Sequence, residues 1–422
     1  MLKQLLTQLE NSPTAYHAVE NAKKILLGKG FCELYESNDW SIEKNSKYFV
    51  VADGSALIAF VTGTENSGVN IVASHTDSPA LKLKFNPIVK QGKIVKLNVE
   101  KYGGGLLYSW LDIPLNIAGR IIVKEKNSGK LISKLVFDTH KIIIPSVAIH
   151  LDREVNSKGL VLNAQNDLQP MVSMNPDFQL KLFDDNKYEI LDYDLYLTNA
   201  SKPYLAGFDN EFLVSPRIDN LTSAFASIYA IVDINSKNIA LTYLADNEEV
   251  GSATKQGAGG TFLRKTIERI AKSIKKDVDV MLSNSFMVSC DNAHATHPNH
   301  PEKSDPTNNV TLNGGVVIKH HANQNYTTDA FSSSVLKTIA NRCNIATQDF
   351  FMRADMPCGG TLGAISSSQL SIRSVDIGLA QLAMHSATET MGSKDYDSLV
   401  TLLKQFYNSK IYCPRYHEII VE

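Results

Sequence analysis

Little in this 422-residue chain is in excess, and what is missing narrows the choices. Its five cysteines, Cys32, Cys290, Cys343, Cys358 and Cys413, are scattered, odd in number and never spaced as CxxC. That argues against a disulfide framework and against a thiolate zinc site. No stretch approaches the roughly 18 uninterrupted apolar residues of a membrane span. The N-terminal MLKQLLTQLENSPTAYHAVE is amphipathic, with Gln, Glu and Asn where a signal peptide has an apolar core. Neither sign of charge dominates: 42 Lys and Arg against 44 Asp and Glu leave a net charge of −2. Nucleic acid and acidic membranes therefore have no electrostatic claim as main partners. HExxH, GxSxG and the Walker GxxxxGK[ST] pattern are all missing. The one His-Glu pair, His417-Glu418, runs into Ile-Ile-Val at the C-terminus, and the Gly clusters at 103–105 and 257–260 lack GxGxxG spacing. The expectation is a globular cytoplasmic protein.

The hydrophobic fraction of 43% and the charged fraction of 20% are those of a folded chain. Its length exceeds one ordinary core and predicts two or three domains. Leu2, Leu5, Leu6 and Leu9 share a helical face. Ser12 has the character of an N-cap, with Pro13 opening a second helix that Gly28 and Gly30 end. Strand-like runs follow at Tyr48 to Val51, Ala56 to Val61 and Val69 to Ala73. From about Leu81 to Leu213 the runs become short and alternating, as in Ile94 to Val99, Ile117 to Val123 and Lys141 to Ile149. After Ser215-Pro216 an α/β rhythm returns. Helices are predicted over Leu221 to Val232, Phe262 to Ile274, Ala330 to Ala340 and Tyr396 to Phe406. Strands are predicted over Ile239 to Ala245, Ser285 to Ser289, Val316 to Lys319 and Val375 to Leu379. This pattern predicts an α/β fold: a mostly parallel sheet with helices on both faces, interrupted by a β-rich insert. The expected boundaries are 1–81 and 213–422 for the discontinuous α/β domain and 82–212 for the insert.

Polar residues gather where the strands end. Val69 to Ala73 leads into His75 and Asp77. Ile239 to Ala245 leads into Asp246, Glu248 and Glu249. Ser285 to Ser289 ends close to Asp291, the segment after Val375 to Leu379 carries His385, and Asp219 sits at the mouth of a helix. Open α/β sheets bind ligands outside the carboxyl ends of their strands. Carboxylates crowded there raise each other's pKa or need a cation. Two imidazoles with several carboxylates suit zinc, cobalt or manganese better than calcium. One carboxylate shared by two ions sets them about 3.5–4 Å apart, the two-metal arrangement of hydrolases. Each residue also has a plainer reading. Asp219 alone is a helix cap, the Asp246 to Glu249 run is a solvated acidic loop, and Asp291 forms a turn with Asn292. His294, His297 and His300 are either a separate metal tract or a polar loop.

These residues resemble the aspartyl aminopeptidase family, which includes vacuolar aminopeptidase I. The resemblance runs in order along essentially the whole chain. It includes Ser12-Pro13-Thr14, His75-Thr76-Asp77-Ser78-Pro79, Tyr102-Gly103-Gly104 and Ala148-Ile149-His150-Leu151-Asp152-Arg153. It continues through Arg217-Ile218-Asp219-Asn220, Asp246-Asn247-Glu248-Glu249-Val250-Gly251-Ser252, Asp291-Asn292-Ala293-His294, Ile318-Lys319 and Leu382-Ala383-Met384-His385-Ser386. The resemblance implies a metal-dependent aminopeptidase with two divalent ions per subunit, zinc first, with cobalt or manganese as alternatives. His75 and Asp291 would hold one ion and Glu249 and His385 the other, with Asp219 bridging. Glu248 would be the general base, and Asp77 would orient His75. The insert would mediate dimerisation, six dimers would build a dodecamer, and His150 would reach a neighbouring subunit's site. Lys319 is the cation implied for an acidic first residue; a neutral or hydrophobic preference is the other reading. Gly360, Ala364 and Thr388 depart from the family pattern on the substrate side. Two competing readings are a carboxypeptidase or amino-acid deacylase on a related dinuclear scaffold, and a catalytically inactive assembly or binding protein.

Overall fold

The computed structural model describes residues 1–183 and 185–422. Four apolar runs, Ala56–Val61, Val69–His75, Ile239–Ala245 and Phe286–Cys290, are buried along their whole lengths. Continuous burial of this kind marks strands covered on both faces. They lie inside a nine-stranded sheet ordered Cys32–Leu34, Lys47–Ala52, Ala56–Val61, Ile239–Ala245, Val69–His75, Phe286–Cys290, Arg373–Gly378, Val316–His320, Thr347–Phe351. The four strands from Ile239–Ala245 to Arg373–Gly378 run parallel. Antiparallel pairs join the hairpin Lys47–Ala52/Ala56–Val61 on one side and Val316–His320 on the other.

Helices cover both faces of this sheet. Ala15–Gly28, Ile218–Ile231, Ala330–Arg342 and Asp395–Asn408 contribute to one apolar core, and Phe262–Ser273, Val278–Ser283 and Leu362–Leu370 to the other. The helix Asp395–Asn408 shows why. Leu399, Leu402, Leu403 and Phe406 recur at helical spacing and are all fully buried. Each such side chain stabilises the fold by about 1.5–3 kcal/mol through burial. Asp395 and Asp397 stand in the first turn, where the helix dipole favours negative charge.

The alternating runs form a separate six-stranded antiparallel sheet with its own core. Its order is Leu131–Ile142, Leu115–Glu125, Tyr188–Asn199, Ala80–Gln91, Ile94–Tyr102, Met171–Ser173. A five-stranded sheet, absent from the sequence reading, joins Tyr204–Ala206, Phe212–Ser215, Glu389–Gly392, Ala380–Leu382 and Ala293–His294. Two local expectations are corrected. Ser12 does not cap the second helix. It ends the first, Leu2–Asn11, and its buried hydroxyl takes a hydrogen bond from Asn21, while the second helix begins at Ala15 behind Thr14. The run Lys141 to Ile149 is not a strand: only Lys141 and Ile142 belong to Leu131–Ile142. Pro145 has no N–H for a ladder, and Ser146 turns its N–H and hydroxyl to the Asp112 carboxylate instead. No helix among the described residues is long and apolar enough to cross a membrane.

Candidate metal centre

The parallel strands of the large sheet deliver their polar ends to one edge. His75 closes Val69–His75, and Asp291 follows Phe286–Cys290. Glu248 and Glu249 stand in a short turn after Ile239–Ala245, reached through Asn247 in a left-handed conformation (φ 59°). Asp219 lies in the first turn of Ile218–Ile231, where its backbone leaves helical geometry (φ −80°, ψ 109°). His385 comes from the loop between Ala380–Leu382 and Glu389–Gly392, also with positive φ (66°).

These side chains converge as two groups that share one carboxylate. Nε2 of His75 lies 3.5 Å from Oδ1 of Asp219 and 3.6 Å from Oδ1 of Asp291. Nε2 of His385 lies 3.5 Å from Oδ2 of Asp219 and 3.4 Å from Oε2 of Glu249. In a tetrahedron with bonds of about 2.1 Å, neighbouring zinc ligands stand about 3.4 Å apart. The spacings match that edge. Among the described residues, Oδ1 of Asp219 and Oε1 of Glu249 are buried without a hydrogen-bond partner, a costly state that a cation relieves. The donor set fits a divalent metal in each group. Glu248 joins His75 and Glu249 in a third, overlapping cluster.

The electrostatics point the same way. Burial lowers the proton affinity of His75, but the Asp219, Asp291 and Asp77 carboxylates outweigh it and raise the pKa well above its ordinary value. His385 rises to about 10 against the same burial cost, through Asp219 and Glu249. Burial, followed by the charge of Asp219, raises Glu249 well above the carboxylate range. Burial pushes Glu248 up to about 7; His75 opposes this, and Asp291, Asp77 and Asp219 add to it. Asp219 is held below its usual range: His385 and His75 overcome the effect of burial. Acids and imidazoles that perturb one another in this way are common at functional sites.

Asp77 sits directly behind His75. Nδ1 of His75 donates to the Asp77 carbonyl oxygen at 3.1 Å and lies 3.3 Å from its carboxylate. Lys319 is buried beside the site. Its Nζ donates to the Asn292 carbonyl at 3.1 Å, lies 3.7 Å from Oδ2 of Asp291 and stands over the Tyr326 ring. His150 is exposed in a loop, apart from these groups. His294, His297 and His300 form no ligand cluster among the described residues, and His300 pairs with Glu302 on the surface. The sequence reading missed Glu389, a fully buried acid. It accepts from the backbone N–H groups of both Asp219 (3.0 Å) and His385 (2.8 Å). Burial and the Asp219 charge raise its pKa to about 8. No local pattern signals it; its partners are brought to it by the third sheet.

Comparison with known proteins gives the family. The family model described as "Aminopeptidase I zinc metalloprotease (M18)" matches residues 8–407. A probable M18 family aminopeptidase 2 of Clostridium novyi (strain NT) is 42% identical, over 96% of this chain and 98% of its own. A probable aspartyl aminopeptidase of Ricinus communis is 34% identical, over 96% of this chain and 94% of its own. Among solved structures, the mApe1 dodecamer of S. cerevisiae superposes with a TM-score of 0.85 at 27% identity. It covers 96% of this chain and 96% of its own. The chain belongs to the M18 family of aminopeptidases, described as zinc metalloproteases.

Proposed function

We propose that the chain removes the N-terminal residue of peptides with two divalent metal ions per subunit, zinc first. One observation carries this reading: Asp219 turns one oxygen to His75 and the other to His385. His75 and Asp291 would hold one ion, Glu249 and His385 the other, and Asp219 both. Such a pair of ions polarises the scissile carbonyl and acidifies a water.

The remaining steps belong to the chain's own groups. Glu248 lies within 4.8 Å of one residue of each group, His75 and Glu249, and is the carboxylate left for the proton once the two ligand sets are assigned. Burial raises its proton affinity above that of an ordinary carboxylate, and a carboxylate so placed takes a proton from water and returns it to the leaving amine. Asp77 fixes the His75 ring by holding Nδ1, leaving Nε2 for the ion. Lys319 places a buried positive charge beside Asp291, which supports a preference for Asp or Glu as the first residue. A charge-assisted hydrogen bond from such a group is worth about 1.5–3 kcal/mol, or one to two decades in rate.

Residues 82–212 would form the dimerisation domain, and the chain would work as a homo-oligomer. The exposed apolar residues Val147, Ile149, Leu151 and Val161 around His150 support self-association there. The S. cerevisiae relative is a dodecamer, and assembly of that kind would bring His150 to a neighbour's site.

The test is a panel of Asp, Glu and Leu aminoacyl substrates, run on metal-free enzyme and after adding zinc, cobalt or manganese. Activity should vanish on chelation and return with metal. Full turnover in a metal-free sample refutes the mechanism. Lys319→Met should lower kcat/KM for Asp and Glu substrates about 10- to 100-fold more than for Leu substrates. Equal losses remove the acidic preference and leave the aminopeptidase reading standing.

A further inference from the structure

The strand Ile94–Tyr102 belongs to the six-stranded sheet, yet its last residue ends inside the metal centre. The Tyr102 hydroxyl donates to Oδ2 of Asp77 at 2.7 Å. It accepts from Nδ2 of Asn247 at 2.8 Å. The side-chain oxygen Oδ1 of Asn247 in turn accepts from Oγ1 of Thr254 and Nε2 of Gln256, both at 2.9 Å. All these bonds point one way, from Thr254 and Gln256 through Asn247 and Tyr102 to Asp77. Hydrogen bonds aligned in series polarise and strengthen one another.

Asp77 is the node this relay acts on. Its Oδ1 accepts from the Glu248 N–H at 3.1 Å and its Oδ2 from the Glu249 N–H at 3.2 Å. One carboxylate therefore faces His75, both adjacent glutamates and Tyr102. The residues after Tyr102 hold the other imidazole. The Gly104 carbonyl accepts from Nδ1 of His385 at 3.1 Å, and the Leu106 N–H donates to the His385 carbonyl at 2.9 Å. Gly103, at φ 75°, passes so close that a Cβ there would stand 3.1 Å from Cβ of Glu249. The end of one strand from the second sheet thus braces both imidazoles of the site.

We propose that Tyr102 is a positioning residue for the metal centre. Through Asp77 it fixes the carboxylate that orients His75, so the β-rich insert completes the active site as well as offering a surface for assembly. The inference rests on the reading of His75 as a metal ligand. Tyr102→Phe is the clean perturbation. It removes the hydroxyl and keeps the ring, which packs edge-on against Tyr196 at 5.6 Å between centroids.

The experiment titrates metal-free protein with zinc against a chromophoric chelator, for wild type, Tyr102→Phe, Asp77→Asn and the double variant. Melting of each metal-free protein reports folding. Loss of a group that orients a ligand directly weakens metal binding about 10- to 100-fold. Tyr102 acts one bond further out, so about a 3- to 10-fold loss is expected for one of two zinc equivalents. Asp77→Asn should weaken the same equivalent more, and Tyr102→Phe should add nothing in that background. Wild-type affinity for both equivalents in Tyr102→Phe overturns the proposal, as does the same loss with and without Asp77. If wild-type protein binds no zinc, the two-metal reading itself falls and takes this inference with it. Two wild-type equivalents with an indifferent Tyr102→Phe refute the relay alone.

Discussion

Gly378 offers a test of the proposed metal centre without touching a proposed ligand. It closes the strand Arg373–Gly378, where a Cβ would stand 2.0 Å from the Asp291 carbonyl oxygen and 2.7 Å from Cα of Asn292. A carbon next to a carbonyl oxygen needs about 3.3 Å, so Gly378→Ala forces a separation of about 1.3 Å. The strand itself is pinned. Gly378 pairs with Val317 on one side, and Ile377 takes the Asp291 N–H at 2.8 Å on the other. The loop carrying Asp291 must therefore yield. Metal ligands tolerate about 0.2 Å, several times less than the displacement. Overpacking of this kind costs about 1–3 kcal/mol, which leaves a domain of this size folded. The expected outcome is a soluble protein that keeps the Asp219, Glu249 and His385 group and loses the other. Zinc analysis after dialysis should fall from two equivalents to one. Chelator competition should show the lost equivalent at least about 100-fold weaker, beyond the effect of losing an orienting group alone. Retention of both equivalents at wild-type affinity would refute the assignment of Asp291, and loss of both would refute the division into two groups.

Two further outcomes follow from buried groups. Glu248→Gln should keep both metal equivalents while kcat falls about 100-fold or more, the usual contribution of a general base; metal loss in proportion to activity would make Glu248 a ligand instead. His17 has its pKa lowered to about 4, by burial first and then by Arg217 and Lys24. The native state therefore resists its protonation. This contribution is fully present above pH 6.5 and is lost as pH falls towards 4, on the order of 3 kcal/mol in total. Urea unfolding at pH 7 and pH 4.5 should show a smaller acid-induced loss in His17→Gln than in wild type, and equal losses would show that His17 does not resist protonation.

The legible part of this protein is the part written in consecutive residues. A run such as Ile239–Ala245 is apolar throughout, so both its burial and its polar exit into Asp246, Glu248 and Glu249 are visible in a short window. The same holds for Val69–His75, although the strand continues two residues further than the apolar run and carries His75 itself. Glu389 and the role of Tyr102, which the sequence offers only within the Tyr102-Gly103-Gly104 motif, are hidden for the opposite reason. Glu389 acts on Asp219, 170 positions away, and opens a four-residue strand with no periodicity to read. Tyr102 ends a strand whose alternation describes its own sheet and says nothing about the neighbouring one. The run Lys141 to Ile149 misleads because alternation continues past Pro145, where the backbone can no longer pair. Side chains that make a site are declared by local chemistry, since a carboxylate after an apolar strand is conspicuous. Those that hold them in place are ordinary residues made special only by contacts across sheets. The site therefore depends on the second sheet for geometry that its own strands cannot supply: Tyr102 and the Gly104 carbonyl reach Asp77 and His385 from outside the sheet that bears His75 and Asp291.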